Sequence, residues 1–415
     1  MAFDFKGFFR FAARLLSRIG DHCFGWTPRR AVVYATLYLF YPPFELANWL
    51  HLALDNLLYP GYRRMEVAAP VFIAGNFRSG TTFLHRLLAR DYERFCTMQM
   101  WELLFAPSIL QRRLVRALGA LDQWLGAPFG RRLAGVEDHW QEENPMHRVS
   151  LGAPEEDDYL LLHIWSALTI GLSSGVLEEA RPYAYFDTAL SERTQDRILG
   201  FYRRCLQRHL HSHSASGRHY LAKNPALTPK IDAVYRWFPD AKVILLVRSP
   251  LDVVPSFVHM MQFSYRVLGT PNRVLTVSPR TSDERTEGDA LRDFVVDMAR
   301  HWYTHALERL DRAPEDSYII VRYDNLVDDP AGTVRSIYAR FGFEVGPAYA
   351  EVLQAQAEQA RSYRSRHSYS LEGTGLTREG IVSQFRDVFD RFGFPTGEAD
   401  TPAPAPAARS RGEGR

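Results

Sequence analysis

One short segment combines a buried strand, a loop framed by glycines and the start of a helix. The strand is Val71-Phe-Ile-Ala-Gly75, and the loop runs from there to Gly80. Backbone N–H groups at a helix start converge on one point, and the helix dipole adds partial positive charge. Hydroxyls of Ser79, Thr81 and Thr82 supply further donors. The segment therefore predicts an anion-binding loop.

This loop departs from the P-loop pattern G-x-x-x-x-G-K-[ST] at the lysine position. Thr81 stands where the lysine would reach a terminal phosphate, and Arg78 supplies positive charge earlier in the loop. The strands that would carry a metal-binding acid end with Arg248 and Arg322 instead. The pattern disfavours a magnesium-dependent nucleoside triphosphatase.

Three further strand–helix units follow along the chain. Short apolar runs occur at Tyr220–Ala222, Lys242–Val247 and Ser317–Val321, each before a helical pattern. Apolar strands alternating with helices predict a mainly parallel sheet that is covered on both faces. We therefore expect an α/β fold, a P-loop-like three-layer α/β/α arrangement with a mainly parallel central sheet, over residues 69–395.

Residues 1–68 are expected to form an N-terminal helical, amphipathic extension. Arg10, Arg14 and Arg18 recur at helical spacing beside aromatic residues. Such a helix can lie on a membrane surface or dock on the core, and docking is the favoured interpretation.

The uncharged run at 31–44 is too short to span a membrane. Pro42-Pro43 interrupts it and Glu45 ends it, whereas a spanning helix needs about 20 apolar residues. We expect a buried or interfacial hairpin here. At the other end, residues 396–415 are rich in Pro, Ala, Gly and Arg, which predicts a disordered tail.

A second anion site is predicted after the strand at Lys242–Val247. Arg248 lies at a strand's carboxyl end, where open α/β sheets bind ligands, and Ser256 lies two turns along the next helix. An arginine fork and a hydroxyl can hold one phosphate. The alternative is an ion pair between Arg248 and Asp252. Together with the first loop, this site favours a ligand that is phosphorylated at two positions.

Composition limits the compartment and the partners. The chain has 50 lysines and arginines and 48 aspartates and glutamates, which gives a net charge of +2. It contains no basic run of the kind that would indicate nucleic-acid binding. The three scattered cysteines are Cys23, Cys96 and Cys205. They give neither a disulfide framework nor a zinc pattern, so a reducing, cytoplasmic location is expected. The lysines are Lys6, Lys223, Lys230 and Lys242.

A histidine run, His209-x-His211-x-His213, could present metal ligands on one side of an extended strand. Its surroundings are typical of an exposed loop, and no metal site is expected.

Arg78-Ser-Gly-Thr-Thr82 after a buried strand resembles the 5′-phosphosulfate loop of sulfotransferases that use PAPS, 3′-phosphoadenosine 5′-phosphosulfate. The block containing Arg248 and Ser256 resembles the family's 3′-phosphate motif, and Lys223 matches a lysine of the carbohydrate and tyrosylprotein branches. The resemblance runs from about Pro70 to Phe394, and the sequence looks like a bacterial member of the family.

The resemblance implies a set of donor-binding and catalytic residues. The donor-binding residues are Arg78, Ser79, Gly80, Thr81, Thr82, Arg248, Ser256 and, in a closing loop at 362–371, Arg366. Lys223 and Arg78 would stabilise the leaving group, and Glu102 would deprotonate the acceptor hydroxyl. The alternatives for that base are Glu155, Glu156, His139 and His147.

The implied function is transfer of a sulfuryl group from PAPS to a hydroxyl on a carbohydrate, lipid or small molecule, without a metal. Two alternatives stay open at this point. One is a P-loop-like kinase, and the other is a non-catalytic nucleotide-binding protein at a membrane. A peripheral membrane contact through the N-terminal segment remains open in either case.

Overall fold

The computed structural model describes residues 2–22, 24–143, 150–215, 217–275, 286–362 and 371–396. Its centre is a five-stranded parallel sheet in the order β2-β3-β1-β4-β5. The strands are β1 (Val71–Gly75), β2 (Phe95–Cys96), β3 (His219–Lys223), β4 (Lys242–Val247) and β5 (Tyr318–Arg322). The predicted α/β fold with a parallel sheet is confirmed.

The described residues form nineteen α-helices. They are α1 (Phe5–Ser17), α2 (Pro28–Leu58), α3 (Thr81–Leu88), α4 (Met100–Leu104), α5 (Ile109–Trp124), α6 (Pro128–Glu143), α7 (Leu168–Ser174), α8 (Leu177–Ala184), α9 (Phe186–Ala189), α10 (Glu192–Ser212), α11 (Ile231–Trp237), α12 (Pro250–Val267), α13 (Asn272–Leu275), α14 (Glu287–Leu310), α15 (Tyr323–Asp328), α16 (Pro330–Phe341), α17 (Pro347–Ser362), α18 (Arg378–Gln384) and α19 (Arg386–Phe392). Short 3₁₀ helices cover Pro60–Arg64, Asp157–Ile164, Pro225–Lys230 and Glu315–Ser317.

Two apolar layers cover the sheet. Side chains of α3, α16 and α17 pack on one face, and those of α10, α11, α12 and α14 pack on the other. β1 lies in the middle, and all five of its residues are buried. Ile73 pairs with Lys223 of β3, and Gly75 pairs with Leu246 of β4. The loop after β1 therefore lies between the ends of both neighbouring strands.

The predicted hairpin in the N-terminal segment is wrong, because α2 is one helix of 31 residues that continues through Pro42 and Pro43. Each proline removes a helical hydrogen bond. Buried polar contacts hold this helix against the core along its length. Arg30 pairs with Glu287 at 3.0 Å, Glu45 with His163 at 2.9 Å, and Asp55 with Arg208 at 3.0 Å.

The arginines of α1 are engaged within the protein. Arg10 and Arg14 pair with Glu179, and Arg18 pairs with Glu178. The helix therefore docks its basic side on α8, as the favoured interpretation of the sequence has it. None of the described helices is long and apolar enough to cross a bilayer. The predicted disordered tail lies, apart from its first residue, outside the described residues.

Candidate active site

The loop after β1 needs glycine at both of its ends. Gly75 has φ +139°, and a Cβ there would lie 2.5 Å from the carbonyl oxygen of Leu246. Gly80 has φ +93°, and a Cβ there would lie 2.6 Å from the ring of Tyr323. Arg78 also has a positive φ, 69°, which non-glycine residues rarely adopt. The loop therefore turns tightly between β4 and α15.

Buried hydroxyls brace this loop from below. Thr228 Oγ1 accepts a hydrogen bond from the Gly75 N–H at 2.8 Å and donates to the Gly75 carbonyl at 3.1 Å. Ser79 Oγ donates to the Asn76 carbonyl at 2.6 Å. Because these bonds fix the backbone, the N–H groups at the start of α3 keep a defined direction.

The two predicted anion sites meet through Arg78. Its Nε donates to Ser256 Oγ at 3.0 Å, and its carbonyl accepts from Arg248 Nη1 at 3.2 Å. Ser256 is fully buried on α12. The structure thus brings Arg78, Arg248 and Ser256 together, although Ser256 lies 178 residues from Arg78 in the chain.

Arg248 is held by three neighbours that fix its direction. Its guanidinium lies over the ring of Tyr323, 4.1 Å from the centroid, and its Nε donates to Asp252 at 3.3 Å. The hydroxyl of Tyr303 donates to the Arg248 carbonyl at 2.6 Å. The Asp252 ion pair is therefore present together with the contact to the loop. Tyr303 and Tyr323 were not singled out in the sequence, because no local motif marks them.

Lys223 is completely buried at the end of β3, beside β1. Its Nζ donates to Glu155 at 2.6 Å and to Glu156 at 2.8 Å. Burial alone would lower the pKa of Lys223, but the carboxylates of Glu156 and Glu155 outweigh burial and raise it. The lysine is therefore held protonated next to the loop-bearing strand.

The two glutamates begin a run of four acids that packs against β3 and the residues after it. Lys230 Nζ donates to Asp158 at 2.7 Å, and Asn224 Nδ2 donates to Asp157 at 2.9 Å. Burial raises the pKa of Asp157 to about 6 against the donors that surround it, Tyr202, Tyr220 and Asn224. Sequence reasoning found the glutamates but missed Asp157 and Asp158. The signal that could have revealed them is the run of four consecutive acids before an apolar segment.

Glu102 lies in a different charge cluster. It is buried in α4, where its carboxylate caps the helix by accepting from the Gln99 N–H at 3.0 Å. Its charged neighbours are Arg112 at 3.6 Å and Arg116 at 3.7 Å, both from α5, and His213, which caps α10, lies 3.3 Å away. These contacts give Glu102 a structural role, and its assignment as the base stays a prediction.

A cavity of about 340 Å³ lies beside Glu102. Arg86, Thr97 and Pro154 also line it, and Pro154 directly precedes the four acids. The cavity thus extends from Glu102 to the residue that precedes the acidic run. A larger cavity, about 550 Å³, lies between α1, α8 and the start of α14.

The histidine run does not form an extended strand. His209 and His211 lie in α10, and His213 caps it, so that part of the prediction is wrong. Cys96, His209 and His213 bring ligand atoms within 4.8 Å of one another. Burial and the positive charge of Arg112 lower the pKa of His209, and the same positive charge opposes a bound cation. The expectation of no metal stays a prediction.

The structure places three of the remaining candidates on helices, and the other two lie outside the described residues. His139 is exposed on α6. His147 and Arg366 lie outside the described residues. Thr81 is buried, and Thr82 is partly buried, at the first positions of α3.

Comparisons with known proteins agree with this geometry. A family model described as "Sulfotransferase family" matches residues 70–347. The curated omega-hydroxy-beta-dihydromenaquinone-9 sulfotransferase Stf3 of Mycobacterium bovis is 28% identical over 339 residues, 81% of this chain and 77% of the relative. Stf3 of Mycobacterium tuberculosis matches equally.

Two solved structures share the fold. Sulfotransferase STF1 from Mycobacterium tuberculosis superposes with a TM-score of 0.65 at 21% identity, covering 90% of each chain. STF9 from Mycobacterium avium gives 0.63 at 18% identity, covering 84% of this chain and 83% of its own. Because the family model matches more than half of the chain, the kinase and the non-catalytic alternatives are set aside, and the chain belongs to the sulfotransferase family of enzymes, which transfer a sulfuryl group to a hydroxyl acceptor.

Proposed function

We propose that this sulfotransferase uses PAPS as its donor and a lipid-like alcohol as its acceptor. The observation that supports PAPS as the sulfuryl donor is that Arg78 contacts both Ser256 and Arg248, at 3.0 Å and 3.2 Å. Two anion-binding centres side by side suit a nucleotide with phosphates at its 3′ and 5′ positions. PAPS, when bound, supplies the activated sulfuryl group.

The residues of the loop fit the 5′-phosphosulfate end. Gly80 adopts the positive φ that the turn into α3 requires, and the N–H groups at the start of α3 offer donors. Arg248 and Ser256 would hold the 3′-phosphate, the arginine as a fork and the serine as a single donor. Tyr323 keeps the guanidinium plane in place by stacking on it.

In the transfer, the acceptor oxygen bonds to sulfur while the bond from sulfur to the 5′-phosphate oxygen breaks. Negative charge develops on that phosphate oxygen, and Lys223, Arg78 and the loop N–H groups stabilise it. Lys223 suits this role because its pKa is raised by its glutamate partners, so it stays charged.

The acceptor proton must pass to a base. Glu102 is the residue that the family resemblance names, while Glu155 and Glu156 are supported by their contacts with Lys223. The side chain of Glu156 is 20% exposed and that of Glu155 is 2% exposed, so an acceptor reaches Glu156 more readily. We therefore favour Glu156 as the base and Glu155 as the residue that positions Lys223.

The acceptor class rests on the relative named for omega-hydroxy-beta-dihydromenaquinone-9. We propose a hydroxyl on a long apolar molecule and not on a carbohydrate. A screen of omega-hydroxylated dihydromenaquinone, long-chain alcohols and sugars with PAPS would decide between the two classes.

We also propose that no metal is needed and that the enzyme acts in the cytoplasm. A transferring sulfuryl group carries less negative charge than a terminal phosphate, so side chains and N–H groups suffice to stabilise it. Cys96 and Cys205 are both buried and unbridged, as suits a reducing compartment.

The donor assignment predicts a selective loss when Arg248 is replaced by alanine. Losing a charged hydrogen-bond donor costs about 1.5–3 kcal/mol, so adenosine 3′,5′-bisphosphate should bind about tenfold more weakly or worse. Adenosine 5′-phosphosulfate lacks the 3′-phosphate and should bind nearly unchanged. Titration calorimetry with both nucleotides measures this difference.

Arg322→Ala is the matched control, since Arg322 also ends a strand of the sheet, β5, but contacts Phe392 and Asp324. It should keep both affinities. Equal losses for the two nucleotides in Arg248→Ala would contradict the 3′-phosphate assignment.

A further inference from the structure

Exposed apolar side chains are concentrated in one part of the molecule. Of the 23 large hydrophobic side chains that are exposed among the described residues, 21 lie in residues 5–58 and 105–136. We call their central part the outer apolar face, defined by Leu39, Phe40, Leu46 and Leu50 of α2 with Leu118 and Trp124 of α5. Leu46 is 72% exposed and Trp124 is 81% exposed. A concentration of exposed apolar side chains of this kind marks an interaction site.

The two helices of this face adjoin each other. The carboxylate of Asp55 in α2 accepts from the N–H groups of Ile109 and Leu110 at the start of α5, at 2.8 Å and 3.1 Å. Asn48 of α2 accepts from Gln111 of α5 at 2.7 Å. The outer apolar face is therefore built on two helices that are fastened together by buried polar contacts.

The polarity of α2 is the reverse of that of a surface helix. Arg30, Glu45 and Asp55 all point inward, and each is buried against a polar partner in the core. From 31 to 53, every exposed residue of the helix is apolar except Thr36. A helix that faces water shows the opposite pattern, with its charges outward. The outward side of α2 therefore suits an apolar environment.

Exposed basic residues lie at the ends of α2 and on α5. Arg29 lies exposed at the start of α2, Arg63 and Arg64 lie exposed just beyond its end, and Arg113 is exposed on α5. Both acidic residues of α2 are buried, so the exposed charge along residues 28–64 is basic. An apolar face with basic residues at its ends is complementary to an anionic lipid surface. A second copy of the chain would bring like charges together.

We propose that the outer apolar face binds an anionic membrane, with α2 lying in the plane of the interface. A 31-residue helix is about 46 Å long, and its inner side is fixed to the core, so it lies along the bilayer surface. This site differs from the basic side of α1, whose arginines are already paired with Glu178 and Glu179. The proposal does not depend on the donor or the acceptor.

Vesicle sedimentation of the full chain tests the proposal. The parent should bind vesicles that contain phosphatidylglycerol, and bind phosphatidylcholine vesicles more weakly. The triple variant Leu39→Gln, Leu46→Gln, Leu50→Gln should bind the anionic vesicles at least about tenfold more weakly, because three apolar side chains no longer enter the interface. Its thermal unfolding should match that of the parent, since all three side chains are exposed.

Two further variants test whether vesicle binding depends on the outer apolar face and its basic residues, or on exposed apolar side chains in general. Tyr92→Gln removes a side chain that is 73% exposed but lies outside the outer apolar face, and it should bind vesicles like the parent. Arg63→Gln with Arg64→Gln should weaken binding to anionic vesicles and reduce its dependence on salt. Affinity for adenosine 3′,5′-bisphosphate should be unchanged in all of them, which keeps this test apart from that of the donor site.

Two outcomes would overturn the proposal. One is a parent that sediments with neither kind of vesicle. The other is a parent that is dimeric in gel filtration and becomes monomeric in the triple variant, since the face would then be an interface between two copies.

Discussion

A single residue of this site contacts more than one partner. Arg78 contacts Ser256 through its guanidinium and Arg248 through its carbonyl, and it holds a left-handed backbone conformation while doing so. The side chain and the backbone of one residue thus couple the loop after β1 to α12. A ligand that engages Arg78 is therefore coupled to both anion-binding centres.

The choice of base can be decided residue by residue. Glu156→Gln should lower single-turnover transfer by about 10²–10⁴-fold, the usual contribution of a general base, while bisphosphate affinity is kept. Glu155→Gln should weaken nucleotide binding as well, because Lys223 loses the partner 2.6 Å from its Nζ. The measurement uses PAPS with the acceptor that the screen selects.

Glu102→Gln is the third variant in that comparison. If transfer falls for Glu102→Gln and survives in Glu156→Gln, then Glu102 is the base, as the family resemblance has it. A Glu102→Gln variant that only lowers the unfolding temperature would instead agree with its cap and its ion pairs.

Among the secondary-structure elements, α2 is attached to the core through buried ion pairs. Burial raises the pKa of Glu287 to about 7, although Arg30 opposes that shift. Arg30→Met should lower the free energy of unfolding by about 3–5 kcal/mol near pH 8, because Glu287 is left buried without its partner. The loss should shrink as the pH falls toward 5, since an unpaired Glu287 can take up a proton.

Arg29→Met is the control for that prediction, because Arg29 is the exposed neighbour on the same helix. It should change the unfolding free energy by no more than about 0.5 kcal/mol. Chemical denaturation at several pH values measures both variants. Equal stability of the two would show that the Arg30–Glu287 pair does not hold α2.

Sequence reasoning succeeds where chemistry is local. The glycines, hydroxyls and Arg78 of the anion-binding loop lie within one strand–loop–helix unit, and Ser256 lies on the helix that follows Arg248. The pairing of Lys223 with Glu155 joins residues 68 apart, and no periodicity reveals it. For the same reason, the sequence does not reveal that the charges of α2 point inward. Without that information, Pro42-Pro43 predicts a break in the helix.

For the whole molecule, the contacts of α2 bear on whether residues 1–68 can be removed. The sequence favours an extension outside the catalytic domain. Deleting residues 1–61 would remove the buried contacts that Glu287, His163 and Arg208 make with α2, and it would uncover the apolar core that α1 and α2 cover. Burying one large apolar side chain stabilises a protein by about 1.5–3 kcal/mol, whereas a typical protein is stable by only about 5–15 kcal/mol in total.

We therefore expect a chain that starts at Tyr62 to lose cooperative unfolding and to aggregate. Circular dichroism during heating, together with gel filtration, measures this. A truncated chain that unfolds cooperatively and binds adenosine 3′,5′-bisphosphate would show that the extension is separable after all.

The long separation between α2 and its partners has a consequence during translation. Arg208 follows Asp55 by 153 residues, and Glu287 follows Arg30 by 257. At roughly 5–20 residues per second, the ribosome delivers these partners about 8 to 50 seconds after the helix sequence has emerged. Throughout that interval the nascent chain displays an apolar helix with unpaired charges. Its first contacts, with a chaperone or with a lipid surface, therefore occur before the catalytic domain has been synthesised.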